Sequence, residues 1–313
     1  MKKGLLFKFF SLVIAVLLLG ACSMDEGKEK NSGNEGGKDS EKKKIGLSIS
    51  TLNNPFFVTL KEGAEAKAKE LGVDLTTVDA QDDPAKQVSD IEDLIQQGVD
   101  LVLVNPADSS AVVSAIEAAN DAGIPVITID RSAEGGEVAA HIASDNVAGG
   151  KMAGELIIEQ LAGKGKVVEL EGISGSSAAR ERGQGFNDAI KEASGIEVVA
   201  RQTANFDRAQ GLSVMENIIQ STKDFQAVFA HNDEMALGAL EAIEAAGLKD
   251  VIVVGFDATD DAVKAVEEGK LFATIAQKPK KMGEIGVETA VKVLNGEKVD
   301  TFIPVELELI RKE

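Results

Sequence analysis

LVLVNPADSSAVVSAIEAANDAGIPVITIDR (101–131) is the stretch whose reading decides the fold. Its ends, LVLV and IPVITI, are unbroken apolar runs of strand length. Strands that alternate apolar and polar residues show one face to water; unbroken runs belong to strands covered on both faces. Residues 109–122, between the runs, read as an amphipathic helix. A strand, a helix and a second strand in so short a chain form a crossover unit of a parallel sheet, and such crossovers are right-handed.

The alternation extends in both directions. Upstream lie KIGLSIS (44–50) and VDLTTVD (73–79). Downstream come KVVEL (166–170), IEVVAR (196–201), QAVFAHND (226–233), VIVVGFD (251–257) and FATIA (272–276). Helices are expected over 84–97, 146–162, 178–193, 208–221, 233–246, 259–268 and 280–295. Another comes after the first strand, with Asn54 as N-cap, Pro55 as first helical residue and Gly72 as stop. Phe57, Leu60, Ala64, Ala68 and Leu71 would share its buried face. The fold class is therefore α/β, with two doubly wound parallel sheets side by side. One set of elements runs from about residue 44 to 144, the other from 145 to 277, and a stretch of some 35 residues ends the chain.

The N-terminal 22 residues carry Lys2, Lys3 and Lys8, an apolar run from Phe9 to Leu19, and then Gly20-Ala21-Cys22. This layout is that of a secretory leader, too short for a spanning helix of about 20 apolar residues. Leu19-Gly20-Ala21-Cys22 resembles a lipobox, so Cys22 is expected to carry the lipid that anchors the chain to a membrane. It is the only cysteine, which excludes an intramolecular disulfide. Residues 23–43 hold one apolar side chain, Met24, and are expected to be a flexible tether.

With 33 basic and 52 acidic residues the net charge is −19, a surface that repels phosphate backbones and excludes nucleic acid as a partner. One cysteine and two separated histidines make a thiolate or histidine-rich metal site an unsuitable reading, and no cofactor is expected. GISGSS (172–177) lacks the lysine of a phosphate loop and the spacing of a dinucleotide loop; no G-x-S-x-G elbow is present. Neither His141 nor His231 has a nucleophile beside it in the sequence, and His141 reads as a core or lobe-interface histidine.

Ligands of open α/β sheets bind beyond the carboxyl ends of the strands. The residues just past each apolar run are therefore informative. Ser50, Asn53, Asn54, Phe56 and Phe57 succeed the first run, Asn105 succeeds LVLV, and Asp130-Arg131 succeeds IPVITI. Then come His231-Asn232-Asp233, Phe256-Asp257 and Gln277. Each has an ordinary structural role open to it. Asn54 and Asn105 suit caps and turns, Asp130 and Arg131 an ion pair, Phe57 the core, and Asp257 a helix cap. Their joint appearance at one edge points instead to a small polyhydroxylated ligand. Planar forked groups match vicinal hydroxyls, and aromatic rings cover the C–H faces of a sugar.

STLNNPFF (50–57), VNP (104–106), IPVITIDR (124–131), HIASDN (141–146), SAARERGQGF (177–186), NDEMALGAL (232–240), VVGFD (253–257) and ATIAQ (273–277) closely resemble the D-ribose-binding branch of the periplasmic-binding-protein family. The resemblance spans residues 44–313. It implies two lobes joined by three crossing strands, with crossovers near 144, 277 and 306. One lobe is then 44–144 plus 278–306, the other 145–277 plus 307–313. It also implies ligand contacts at Ser50, Asn54, Phe56, Phe57, Asn105, Asp130 and Arg131 from the first lobe. The second would supply Arg182, Phe206, Asn232, Phe256 and Asp257, with Gln277 near the hinge. Phe56, Phe206 and Phe256 would sandwich the sugar, and Arg180 would stay outside.

By the same resemblance the chain is a monomeric, extracytoplasmic receptor, not an enzyme, delivering D-ribose to the membrane permease of an ABC importer. A receptor for another small sugar such as allose or xylose, or for a furanosyl signal, is the near alternative; a glycoside-acting enzyme is the distant one. The repressors that share the fold carry a DNA-binding unit where this chain has its leader and tether.

Overall fold

The structure, a computed structural model, describes residues 42–312. The leader, Cys22 and tether residues 23–41 lie outside the described residues. The first lobe opens with β1 (Lys44–Ile49), α1 (Pro55–Leu71), β2 (Asp74–Asp79), α2 (Pro84–Gln96), β3 (Leu101–Val104), α3 (Val113–Asp121), β4 (Val126–Ile129) and β5 (Ala140–Ala143). The second contains α4 (Asn146–Gln160), β6 (Lys164–Glu171), α5 (Ser177–Glu192), β7 (Gly195–Thr203), α6 (Arg208–Ser221), β8 (Ala227–Ala230) and α7 (Asp233–Ala245). It continues through β9 (Ile252–Asp257), α8 (Asp260–Glu268) and β10 (Ala273–Ala276). The chain ends with α9 (Pro279–Leu294), β11 (Phe302–Pro304) and β12 (Glu308–Arg311).

These strands make two six-stranded sheets, β11-β5-β4-β3-β1-β2 and β12-β10-β9-β8-β6-β7. The two orders are the same pattern repeated. Central strands are buried along their whole length, as in β3, β4 and β8, whereas edge strand β2 alternates. Successive residues of β3 feed opposite faces of its sheet. Leu101 and Leu103 join the core under α1 and α9, while Val102 and Val104 join the core under α2 and α3.

Within the described residues the chain passes between sheets three times. β5 is succeeded by α4 on the second sheet, β10 by α9 on the first, and β11 in the first sheet by β12 in the second. β12 pairs antiparallel with β10, unlike the other strand pairs among the described residues, so the second sheet departs from the all-parallel expectation at its edge. Only residues 305–307 separate β11 from β12. A parallel return needs a crossover of a dozen or more residues, so the strand enters the second sheet from the end where the first was left.

Three strands, β5, β11 and β12, are absent from the apolar pattern of the sequence. Each is three or four residues long, and AHIA and FIP hold no Val/Ile/Leu run. The first helix starts as expected: the Asn54 side chain accepts from the Phe56 amide at 2.9 Å, and Gly72 has φ 68°. Leu71 is a correction. It is 42% exposed, because the left-handed turn at Gly72 ends the helix before this last residue reaches the core.

Helices α1 and α9 cross at glycine. A Cβ on Gly63 would lie 2.1 Å from the Lys280 carbonyl oxygen, and one on Gly283 would lie 2.0 Å from that of Leu60. Gly283→Val should therefore cost about 1–3 kcal/mol through overpacking, read as a lower urea midpoint. An unchanged midpoint would mean that the helices do not pack so closely.

In the second lobe Asp233 is fully buried and accepts from Thr274 Oγ1 at 2.7 Å and the Thr259 amide at 2.8 Å. It thus ties α7 to β10 and to the start of α8. Burial outweighs these bonds and holds its carboxyl up to about 7, against an ordinary 3.8. A folded pKa above the unfolded one gives a contribution that is complete below the unfolded value and lost as pH rises through the folded one. Relative to Asp233→Asn, the parent should lose thermal stability from about pH 4 to about pH 7. Parallel pH profiles for the two proteins would contradict this.

Candidate ligand-binding site

The carboxyl ends of the two sheets face each other across a small chamber. Asn54, Phe56, Phe57, Asp130 and Arg131 line it from the first lobe; Ala178, Arg182, Phe206, Asn232, Asp257 and Gln277 line it from the second. At its rim the lobes touch directly. The Ser109 amide donates to the Gly175 carbonyl at 2.9 Å, the Ser132 amide to Ser177 Oγ at 2.9 Å, and Arg180 pairs with Glu134 at 2.8 Å.

In the first lobe a polar network holds the Asp130 carboxylate. Asn105 Nδ2 donates to Asp130 Oδ2 at 3.3 Å and to the Ile129 carbonyl at 3.1 Å, and Asn105 Oδ1 accepts from Ser50 Oγ at 2.7 Å. Behind them buried Gln87 of α2 donates to the Asn105 carbonyl at 2.8 Å and accepts from the Ala107 amide at 2.7 Å. The Arg131 guanidinium lies 5.0 Å from the Phe57 ring and 5.3 Å from the ring of Phe206, which belongs to the other lobe.

In the second lobe Arg182 projects from α5. Its Nε donates to Asn146 Oδ1 at 2.9 Å, its Nη1 donates to the His231 carbonyl at 2.6 Å, and Nη1 stands 3.6 Å from Asp257 Oδ1. Gln277 Nε2 donates to the same Asp257 oxygen at 2.8 Å. Asn232 caps α7 through Oδ1, accepting from the Met235 amide at 3.0 Å, and its Nδ2 donates to the Phe206 carbonyl at 3.1 Å. One asparagine thus performs a structural and a lining role together.

Two features separate this chamber from an ordinary buried polar cluster. Asp130, Phe206 and Asp257 have φ of 65°, 60° and 121°, a region that side chains other than glycine seldom adopt. Backbone strain of this kind gathers at functional sites. Moreover, Asp130 Oδ1, Arg131 Nε and Gln277 Oε1 are buried with no hydrogen-bond partner in the protein. Buried polar atoms are normally paired, and three around one chamber make it a place built for a polar molecule.

Burial dominates the electrostatics. It pushes the Asp130 carboxyl up, against the pull of Arg131 and Arg182. It raises Asp257 well above the ordinary range, opposed chiefly by Arg182, and lowers Arg131 despite Asp130. Among the described residues no group of three or more His, Cys, Asp or Glu side chains is placed to hold a metal ion.

Three of the residues expected to touch ligand stand back from the chamber. Ser50 and Asn105 lie behind Asp130 as its supports. Phe256 is fully buried beneath Arg182, whose guanidinium sits 3.8 Å from its ring, and Phe56, Phe57 and Phe206 are the phenyl rings that line the chamber. Gln87, Asn146 and Ala178 were not legible as site residues. Ala178 has no polar atom to signal it, and Gln87 and Asn146 sit in helices whose strand neighbours are known only from the fold. His141 hydrogen-bonds Thr128 Oγ1 at 2.9 Å and leans on Phe302, and burial lowers its pKa.

The periplasmic binding protein domain model matches residues 45–298. The chain is 52% identical over 301 residues to the ribose import binding protein RbsB of Bacillus subtilis, covering 95% of this chain and 96% of that one. It is 55% identical over 269 residues to the protein of the same name in Escherichia coli, covering 86% and 90%. An ABC transporter solute-binding protein from Bacillus halodurans, solved with myo-inositol, superposes with a TM-score of 0.82 at 39% identity, covering 87% of this chain and 96% of that one. One from Actinobacillus succinogenes, solved with D-allose, gives 0.81 at 33%, covering 86% and 98%. With the family model spanning most of the chain and relatives this similar along their whole length, the chain belongs to the periplasmic-binding-protein family.

Proposed function

We propose that this chain is the extracytoplasmic receptor of an ABC sugar importer and that it captures D-ribose between lobes that close on it. The observation that carries the reading is the chamber itself: two carboxylates, two guanidiniums and two amides converge beside phenyl rings, with buried acceptors and a donor that no protein group satisfies. A carboxylate or guanidinium engages two neighbouring hydroxyls at once, and a phenyl face covers the apolar side of the ring. The relatives named for ribose import support ribose over other small sugars.

The rest of the chain has its place in this function. The lobes are 44–144 plus 278–306 and 145–277 plus 307–313, turning on the three connections near 144, 277 and 306. Asn54, Phe56, Phe57, Asp130 and Arg131 hold the ligand from one side; Arg182, Phe206, Asn232, Asp257 and Gln277 hold it from the other. Ser50 and Asn105 orient Asp130, and Phe256 backs Arg182. Closure desolvates these groups and strengthens every polar contact to the sugar. The protein works as a monomer, passes its ligand unchanged to a membrane permease, and stays at the membrane through a lipid on Cys22 and the tether of 23–43.

Asp130→Ala and Arg182→Ala each remove one charged partner from a dry site. Each should weaken ribose binding by about 2–5 kcal/mol while the far-ultraviolet circular dichroism spectrum stays that of the parent. Calorimetric titration reads both. Parent-like affinity in the two variants would sink the assignment of these residues.

A further inference from the structure

His231 lies just past β8 and immediately precedes the chamber residue Asn232, yet its ring faces away from the chamber and is 1% exposed. Three bonds leave it toward different parts of the site. Its carbonyl accepts from Arg182 Nη1 at 2.6 Å, its Nδ1 accepts from the Gly172 amide at 3.3 Å, and its Nε2 meets Glu169 Oε1 at 3.1 Å. Gly172 is the seat of Phe206, since a Cβ there would come within 2.1 Å of the ring carbon Cζ. One imidazole therefore braces the backbone on which the stacking ring rests, and the same residue anchors the arginine opposite.

The partners fix where the proton sits. The Gly172 amide can only donate, so Nδ1 must keep its lone pair, and Glu169 then receives the hydrogen of Nε2. A second proton would set an N–H against an N–H at Gly172. The charged groups facing the ring are few. Glu169 is fully buried and is also held by Arg201 Nε at 2.6 Å and by Asn187 Nδ2 at 3.1 Å. Glu171 lies beyond, 3.7 Å from Arg201 Nε; Arg182, with Asp257 behind it, lies on the carbonyl side. Phe229, 5.2 Å from the imidazole centroid, closes the remaining face without charge. Burial alone would raise the Glu169 carboxyl, but the bonds from His231 and Arg201 bring it below its ordinary value. The carboxylate thus stays an acceptor for Nε2–H.

We infer that His231 is a positioning residue of the binding chamber: its ring holds Gly172, and through it Phe206, in the place from which the sugar is gripped. This rests on the sugar-receptor reading, and two measurements keep the two apart. In ribose titrations of the full chain at about pH 7.5, His231→Leu loses about tenfold in affinity, the worth of one buried hydrogen bond. His231→Gln, whose amide both donates to Glu169 and accepts from Gly172, recovers it. Full affinity in His231→Leu, or no recovery in His231→Gln, overturns the inference. Amide hydrogen exchange at Gly172 needs no ligand. Its protection falls in His231→Leu and returns in His231→Gln, and parent-like protection in His231→Leu overturns the inference even if no sugar binds.

Discussion

Four ionisable side chains, Asp130 and Arg131 from one lobe and Arg182 and Asp257 from the other, meet in a space where each is 6% exposed or less. Removing charges from water costs several kcal/mol each unless partners replace the solvent. Most of the surrounding structure can be understood as supplying those partners. Asn105 and Ser50 serve Asp130; Asn146 and the His231 carbonyl serve Arg182; Gln277 serves Asp257. The groups left over, one oxygen of Asp130, Nε of Arg131 and the oxygen of Gln277, are those a ligand's hydroxyls would satisfy. Affinity and closure then have a single origin, because the bonds that hold a sugar are the bonds whose lack makes a closed empty chamber costly. A ligand shifts the open–closed balance only by its preference for the closed form.

The fold places those charges without special devices beyond two strained turns and a short return. In each sheet the third strand pairs beside the first, which opens a gap at the carboxyl edge where side chains can gather. The left-handed backbone at Asp130 and Asp257 falls at the ends of β4 and β9, the corresponding strands of the two sheets. A positive φ thus recurs at corresponding strand ends on both sides of the chamber. The connections between lobes are brief, residues 144–145, 277–278 and 305–307, and the last, which joins strand to strand, accounts for the antiparallel pairing of β12.

Much of this was readable in the chain. The long central strands announce themselves through unbroken Val, Ile and Leu, and Asn54-Pro55 marks the start of α1. The edge residues Asp130, Arg131, Asn232 and Asp257 stand where strands end. What escaped did so for physical reasons. β5, β11 and β12 are too short and mixed to carry a period, and their pairing depends on neighbours far away in sequence. Leu71 fits the helical stripe but falls at the turn that breaks it. Phe256 carries the residue type of a stacking ring, yet its position under Arg182 comes from packing against Gly149, where a Cβ would come within 2.6 Å of the ring. Which aromatic faces the chamber is decided by three-dimensional packing, and no spacing encodes it.

The central claim is that a small sugar is captured, unchanged, by charges that the two lobes share. Calorimetric titration of the unaltered protein with D-ribose, alongside xylose, allose, galactose and glucose, tests it most directly. Saturable binding of ribose at one site per chain is expected, in strong preference to the other sugars, with the sugar recovered intact. A folded protein that takes up no heat from ribose, or that converts it, would contradict that claim.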